Sequence, residues 1–155
     1  MKSVFSEKSD ITILKVHALP PDLEGELTAA ANLEGFRPIQ WLRDEWEAGA
    51  NRFSLPGEAF YTARMDGRLV GVCGVNQDPF AHEARIARLR RLYVIPELRR
   101  KGVGRQLVKR ALEDVVKYFE FVHLRTVEAD SAAFFEAVGF TKVKDDENAT
   151  HLKVL

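Results

Sequence analysis

Cysteine is nearly absent from this chain: among its 155 residues Cys73 stands alone. That excludes an internal disulfide and a disulfide-stapled scaffold, and it fits a reducing cytoplasm. Long apolar runs are also missing. The longest, Leu69 to Val75, has seven residues, against the ~20 that a membrane helix needs. The opening Met1-Lys2-Ser3-Val4-Phe5-Ser6-Glu7-Lys8 has no apolar core of a secretory leader. Net charge is lacking too, with 23 basic and 23 acidic side chains. The four histidines show no His–His or His–acid spacing of a metal site, so no metal is expected. There are no repeats, low-complexity runs or long linkers. What is present, 46% hydrophobic and 30% charged residues, excludes disorder and a collagen-like chain. The expectation is one soluble cytoplasmic domain over residues 1–155, a length within the ~100–200 of a typical domain.

The zero net charge conceals an uneven distribution. Between Arg85 and Arg110 lie ten basic residues and one acid, Glu97, a surplus of nine positive charges. Such a block points to an anionic partner or to a solvated face. Ile11–Val16 reads as a strand. Pro20-Pro21 opens a helix with Leu23, Leu27 and Ala30 or Ala31 on one side, ending near Gly35. Pro38 starts a second, with Ile39, Leu42 and Trp46 inward and Gly49 as its stop. Ala59–Met65 and Arg68–Val75 flank Asp66-Gly67, a strong hairpin signal. Arg85–Ile95 reads as a strand whose alternation breaks at Arg90-Arg91, which predicts a bulge there. Apolar positions from Val103 to Phe119 follow helical spacing. Phe121–Val127 is a strand, Ser131–Val138 a short helix stopped by Gly139, and Phe140–Val143 with His151–Leu155 a closing hairpin. The order β, α, α, β, β, β, α, β, α, β, β predicts an α/β fold with a central mixed sheet flanked by helices. Its strand–helix–strand unit from Arg85 to Val127 is a parallel crossover.

Inside that crossover lies Arg99-Arg100-Lys101-Gly102-Val103-Gly104. Two glycines permit close backbone approach, the amides of a helix start point outward, and three cations precede them, so a phosphate-bearing ligand is the first hypothesis. A Walker loop is excluded because no Gly-Lys pair exists in the chain. A dinucleotide fingerprint would need glycine where Leu107 stands. Glu128 could serve as its ribose acid, but too little chain follows for that fold. A solvated turn without a ligand is the remaining alternative. A nucleic-acid patch lacks interleaved aromatics, and membrane binding has no support.

The run Leu92-Tyr93-Val94-Ile95-Pro96-Glu97-Leu98-Arg99-Arg100-Lys101-Gly102-Val103-Gly104-Arg105-Gln106-Leu107 resembles motif A of the GNAT N-acetyltransferases, through Arg99, Gly102 and Gly104. Phe134-Phe135-Glu136-Ala137-Val138-Gly139-Phe140 resembles that family's Phe-Tyr-Glu-x-x-Gly-Phe element, one strand and a short helix later. The likeness covers about residues 59 to 155. It implies acetyl-CoA as cosubstrate and transfer of its acetyl group to the amine of a small molecule. A peptide acceptor, a non-catalytic acyl-CoA sensor and a homodimer stay open. The implied pyrophosphate cradle is Arg99, Arg100, Lys101, Gly102, Val103, Gly104 and Arg105. Strands 85–95 and 121–127 are expected to splay, with the pantetheine arm pairing to Leu92, Tyr93 and Val94 and the Val94 amide stabilising the oxyanion.

Two departures from the family pattern stand out. Its thiolate-protonating tyrosine matches Phe135, and the asparagine seven positions earlier is Glu128. The carboxylate base that some members carry matches Arg88. The remaining base candidates are Glu83, Asp78, Glu45 and His151. Phe36, Trp41, Trp46 and Phe53 sit around the two N-terminal helices, which the resemblance implies border the acceptor site. Arg88 and Arg90 share a strand face. They either meet an anionic group of the acceptor or pair with Asp78, Glu83 or Glu58. Cys73 reads as a buried strand residue.

Overall fold

The computed structural model describes residues 10–155; the stretch from Met1 to Lys8, read above for a leader, lies outside them. Seven strands form one sheet in the order β1-β2-β3-β4-β5-β7-β6. They are β1 Ile11–Val16, β2 Ala59–Met65, β3 Arg68–Gln77, β4 Ile86–Val94, β5 Phe121–Leu124, β6 Thr141–Lys142 and β7 His151–Val154. The helices are α1 Glu26–Glu34, α2 Pro38–Ala48, α3 Val103–Val115 and α4 Ala129–Ala137. Every strand pair is antiparallel except β4 with β5, so the sheet is mixed as expected. Among the described residues no helix is long and apolar enough to cross a membrane.

Local chemistry explains most boundaries. Asp66 and Gly67 have φ of 53° and 76°, the paired left-handed conformation that matches the twist of a two-residue hairpin. Pro38 occupies the first turn of α2, and Gly49 ends it at φ 75°, where a side chain would be strained. On α3, Val103, Leu107, Val108, Ala111 and Val115 are buried. They form one stripe against the sheet, and each fully buried aliphatic side chain contributes ~1.5–3 kcal/mol.

The helix expected from Pro20 is broken in two. Pro21–Glu24 is a short 3-10 turn, and Gly25 at φ −93°, ψ −122° separates it from α1. The break lets Leu23 and Leu27 both reach the core. Helix α3 stops at Val115 rather than Phe119. Its last bonds tighten (Tyr118 N to Val115 O, 3.0 Å), which carries Phe119 into the core ahead of β5. Strand β5 ends at Leu124 rather than Val127, because the Thr126 amide leaves the ladder for Thr150 Oγ1 at 3.0 Å. Helix α4 starts two residues before the expected Ser131, and β6 keeps only Thr141–Lys142 of the longer strand read there.

The bulge is present. Val72 pairs with Tyr93 and Gly74 with Arg90, so Arg91 and Leu92 together oppose Cys73, and Arg91 has φ 60°. Faces can be assigned from contacts. A Cβ on Gly74 would run into Phe53, and one on Gly71 would meet Leu107 and Val103 of α3. Arg90, opposite Gly74, therefore lies on the α1/α2 face, and Val94, opposite Gly71, on the α3 face.

Candidate functional site

Strands β4 and β5 pair only at Ile86 with Phe121, Ala87 with Val122 and Arg88 with His123. Beyond Arg88, β4 runs on to Val94 without β5, so the two strands part as expected. The Ile95 amide donates to Val70 O at 3.0 Å. Strand alternation therefore turns the Val94 amide and carbonyl to the opposite, opened edge.

The turn at the top of that opening is built for exposure. Arg100 adopts φ 64°, and Gly102, at φ 89°, is the cap residue of α3 with no side-chain hydrogen bond to it. The amides of Val103, Gly104 and Arg105 have no intrahelical acceptor, as at any helix start. Gly102 is required by its left-handed backbone. Gly104 is not: a Cβ there would make ordinary contacts, 3.4 Å from Phe134 Cζ and 3.7 Å from Val94 Cγ2. Glycine in a helix costs about 1 kcal/mol against alanine. Packing therefore gives no reason for glycine at 104, whereas close approach of a ligand to these amides does. Arg100, Lys101, Arg105 and Lys109 are exposed, and none forms an ion pair among the described residues.

Arg99 behaves differently. Its guanidinium turns back to hold both oxygens of Glu34 at 2.7 and 2.6 Å, and its Nε donates to Val94 O at 3.0 Å. It also lies over the Tyr93 ring. Tyr93 donates its hydroxyl to the same Glu34 and stacks on Phe36. The Arg99 hydrogen bond holds the Glu34 carboxyl below the usual carboxylate range. Burial, then Glu34, pushes the Tyr93 phenol up. This knot ties α1 to the strand and fixes the backbone of Leu92, Tyr93 and Val94.

On the α1/α2 face below the turn lie three further arginines. Arg91 pairs with Glu45 and sits over Trp41. Arg88 is buried, stacked on Phe80 at 4.7 Å, with Asp78 Oδ2 3.7 Å away, too far for a hydrogen bond. Arg90 is half-buried; burial first, then Arg91, pushes its guanidinium down to about 10. Phe36 and Trp41 line a groove of ≈ 380 Å³ along α1 and α2, whereas Trp46 and Phe53 are core.

The base candidates scatter. Glu83 precedes β4, partly exposed and bound by Arg85 at 3.1 Å. Glu45 is taken by Arg91. His151 is buried on β7 opposite Leu124, and its Nε2 meets Glu136 of α4 at 3.2 Å. Asp78 accepts from the Phe80 amide at 2.9 Å and contacts His123 Nδ1 at 3.0 Å. His123, which the sequence reading passed over, stands at the last paired rung of β4 and β5. Only its odds as a strand histidine were visible in sequence, since its partner is 45 residues away. Phe135 is buried against Phe134 and Phe140, and the ring nearest Gly104 belongs to Phe134. Cys73 is fully buried, which pushes its thiol up to about 12, so it is no nucleophile at neutral pH.

This geometry has relatives. An acetyltransferase from Escherichia coli strain K12, YjgM, named as an uncharacterised N-acetyltransferase, is 28% identical over 94 residues, 59% of this chain and 56% of that protein. The chain thus spans about half the length of that curated relative. Among solved structures, a candidate acetyltransferase from Exiguobacterium sp. 255-15 superposes with a TM-score of 0.80 at 25% identity, over 94% of this chain and 93% of that one. The GNAT family N-acetyltransferase YhbS of Escherichia coli, solved with CoA, gives a TM-score of 0.67 at 18% identity, over 99% and 85% of the two chains. The sequence profile of the acetyltransferase (GNAT) family matches residues 26–140. With nearly three quarters of its length inside that match, the chain belongs to the acetyltransferase (GNAT) family.

Proposed function

We propose that this protein transfers the acetyl group of acetyl-CoA to the amine of a small molecule by direct attack. The observation that carries the reading is the turn from Arg100 to Arg105: uncapped amides, an unforced glycine at 104, and exposed cations without partners among the described residues, all at the mouth of an opened strand pair. Acetyl-CoA supplies the activated thioester. The amides of Arg100 to Arg105 suit its pyrophosphate, with Lys101 and Arg105 adding positive potential. The backbone of Leu92, Tyr93 and Val94 suits the pantetheine arm. The Val94 amide, turned to the open edge, suits donation to a developing oxyanion. The ≈ 380 Å³ groove along α1 and α2 is of small-molecule size.

In the reaction a neutral amine attacks the thioester carbonyl, a C–N bond forms, and the C–S bond breaks. The amine loses a proton and the thiolate gains one. For the first proton His123 is favoured over Glu83 and His151. Asp78 orients its ring at the rung where the strands part, whereas Glu83 lies ahead of β4 and His151 on β7 beside α4. With Phe135 in the tyrosine position, water is the proton source for the thiolate.

Calorimetry with acetyl-CoA, followed by thiol release against a panel of amines, tests the reading. Micromolar binding with amine-dependent release supports it. Binding without turnover would make the protein an acyl-CoA sensor, and no binding would overturn both readings.

A further inference from the structure

The acids around Arg88 and Arg90 are all committed elsewhere. Asp78 uses Oδ1 for the Phe80 amide and Oδ2 for His123. Glu45 holds Arg91. Glu58 accepts from the Leu55 and Gln77 amides at 3.1 and 2.9 Å. Glu83 holds Arg85, and Asp146 accepts from the Asn148 and Ala149 amides. Of the pairings expected from sequence, only the long contact between Arg88 and Asp78 exists. Arg88 Nη1 is buried without a hydrogen-bond partner, and so is Asn76 Oδ1, on the residue opposite Arg88 in β3. Arg90 has no ion pair or hydrogen bond among the described residues, although burial pushes its guanidinium down.

A buried guanidinium with open donors is costly to the free protein. Here the buried Arg88 and the half-buried Arg90 lie two residues apart on one strand face, roughly 6.6 Å between backbones, close enough for both to reach one small anion. Phe80 stacks on Arg88 and fixes its plane. The place is the crotch of the sheet: Arg88 is on the last rung shared with β5, and Arg90 lies just past it. Arg91 and Arg125 on one side, and Asp78, Glu45 and Asp146 on the other, act on these two guanidinium groups.

We propose that Arg88 and Arg90 form an anion subsite that holds a carboxylate of the acceptor, which makes the acceptor an amine that also carries a carboxylate, as an amino acid does. This rests on the acyltransferase reading above. A guanidinium offers paired N–H donors that match the two oxygens of a carboxylate. The same cations repel an acceptor whose charge is only positive, so polyamines are disfavoured.

The test uses matched pairs: phenylalanine with phenethylamine, serine with ethanolamine, methionine with 3-methylthiopropylamine, and lysine with cadaverine. Each compound is measured with the full chain and acetyl-CoA by thiol release, and by its effect on the melting temperature of the CoA complex. The expected result is a kcat/KM for the best amino acid at least about tenfold above that of its decarboxylated partner. Arg90→Gln should raise KM for the acid roughly 10- to 100-fold, the loss of one or two charge-assisted hydrogen bonds. It should leave KM for the amine unchanged or lower and the affinity for CoA within about twofold, and Arg90→Lys should recover part of the acid preference. Equal or better use of the decarboxylated amines overturns the subsite. So does a CoA-binding protein whose melting temperature and turnover respond to no acid more than to its amine. Failure of the parent chain to bind CoA would instead overturn the acyltransferase reading first.

Discussion

Two groups of cations come from one stretch of sequence and do opposite things. Around the turn, Arg100, Lys101, Arg105 and Lys109 stand in water without ion pairs among the described residues. On β4, Arg88, Arg90 and Arg91 are largely withdrawn from it. The exposed group costs the fold almost nothing, and its field fades beyond the ~10 Å Debye length of ordinary salt. The withdrawn group acts in a low-dielectric setting that salt hardly reaches, and it burdens the free protein through desolvation. A surplus of nine charges in a sequence points to an anionic partner or to a solvated face. Exposure decides whether the charges attract it from a distance or grip it on arrival.

The sharpest way to break this contrast is at the turn. Gly104→Val should weaken CoA binding about 100-fold by calorimetry, since a side chain there obstructs amides whose bonds to charged oxygens contribute ~1.5–3 kcal/mol each. The companion Gly104→Ala, whose one added carbon meets only ordinary contacts, should melt at or above the parent's temperature and still bind CoA more weakly. Unchanged affinity would move the cradle elsewhere. Next comes the withdrawn group. Arg90→Met should stabilise the ligand-free protein by about 1–3 kcal/mol in urea unfolding, because it removes a desolvated cation that has no partner. A loss of that size would show that Arg90 is paired in solution. Milder is Lys101→Ala combined with Arg105→Ala. CoA affinity should fall about tenfold at low salt, the difference should close toward 1 M salt, and stability should move by less than ~0.5 kcal/mol. The smallest effect belongs to Phe135→Tyr, where turnover should be equal or modestly raised. A collapse of activity in a folded variant would show that the pocket needs an apolar ring at that position.

How much of this could be read from the chain depends on how far apart the partners are. The hairpin at Asp66-Gly67, the stops at Gly35 and Gly49 and the bulge beside Arg91 are local, so residue type and alternation announce them. The two-glycine turn is also local, and with the Phe134–Phe140 element it carries the family. The break at Gly25 was missed because the apolar spacing from Leu23 to Leu27 runs straight through it. The end of α3 was missed because Val116 and Phe119 continue its spacing while serving a turn. The Glu34 knot joins residues 59 and 65 apart, and Asp78 with His123 joins residues 45 apart. Nothing in the local pattern ties such residues together; only the sheet order brings them to one place. The identity of the acceptor's anchor was posed by Arg88 and Arg90 in sequence, but the acids that might have neutralised them had to be located in space first.

The extra residue at Arg91 also changes how β4 should be read. A strand alternates its side chains strictly, so residues an odd number apart belong on opposite faces. Arg90 and Tyr93, three apart, nevertheless share the α1/α2 face, and Leu89 and Val94, five apart, share the α3 face. Like a slipped reading frame, the bulge puts the two halves of the strand out of phase. The lower half is free to present arginines where the upper half presents an aromatic ring and an outward amide. Deleting Arg91 would leave the lower half in frame and invert the upper, sending Tyr93 toward α3 and Val94 toward α1, with the Glu34 knot lost. The one residue that spoils the alternation is what allows a single strand to serve both ends of the opening.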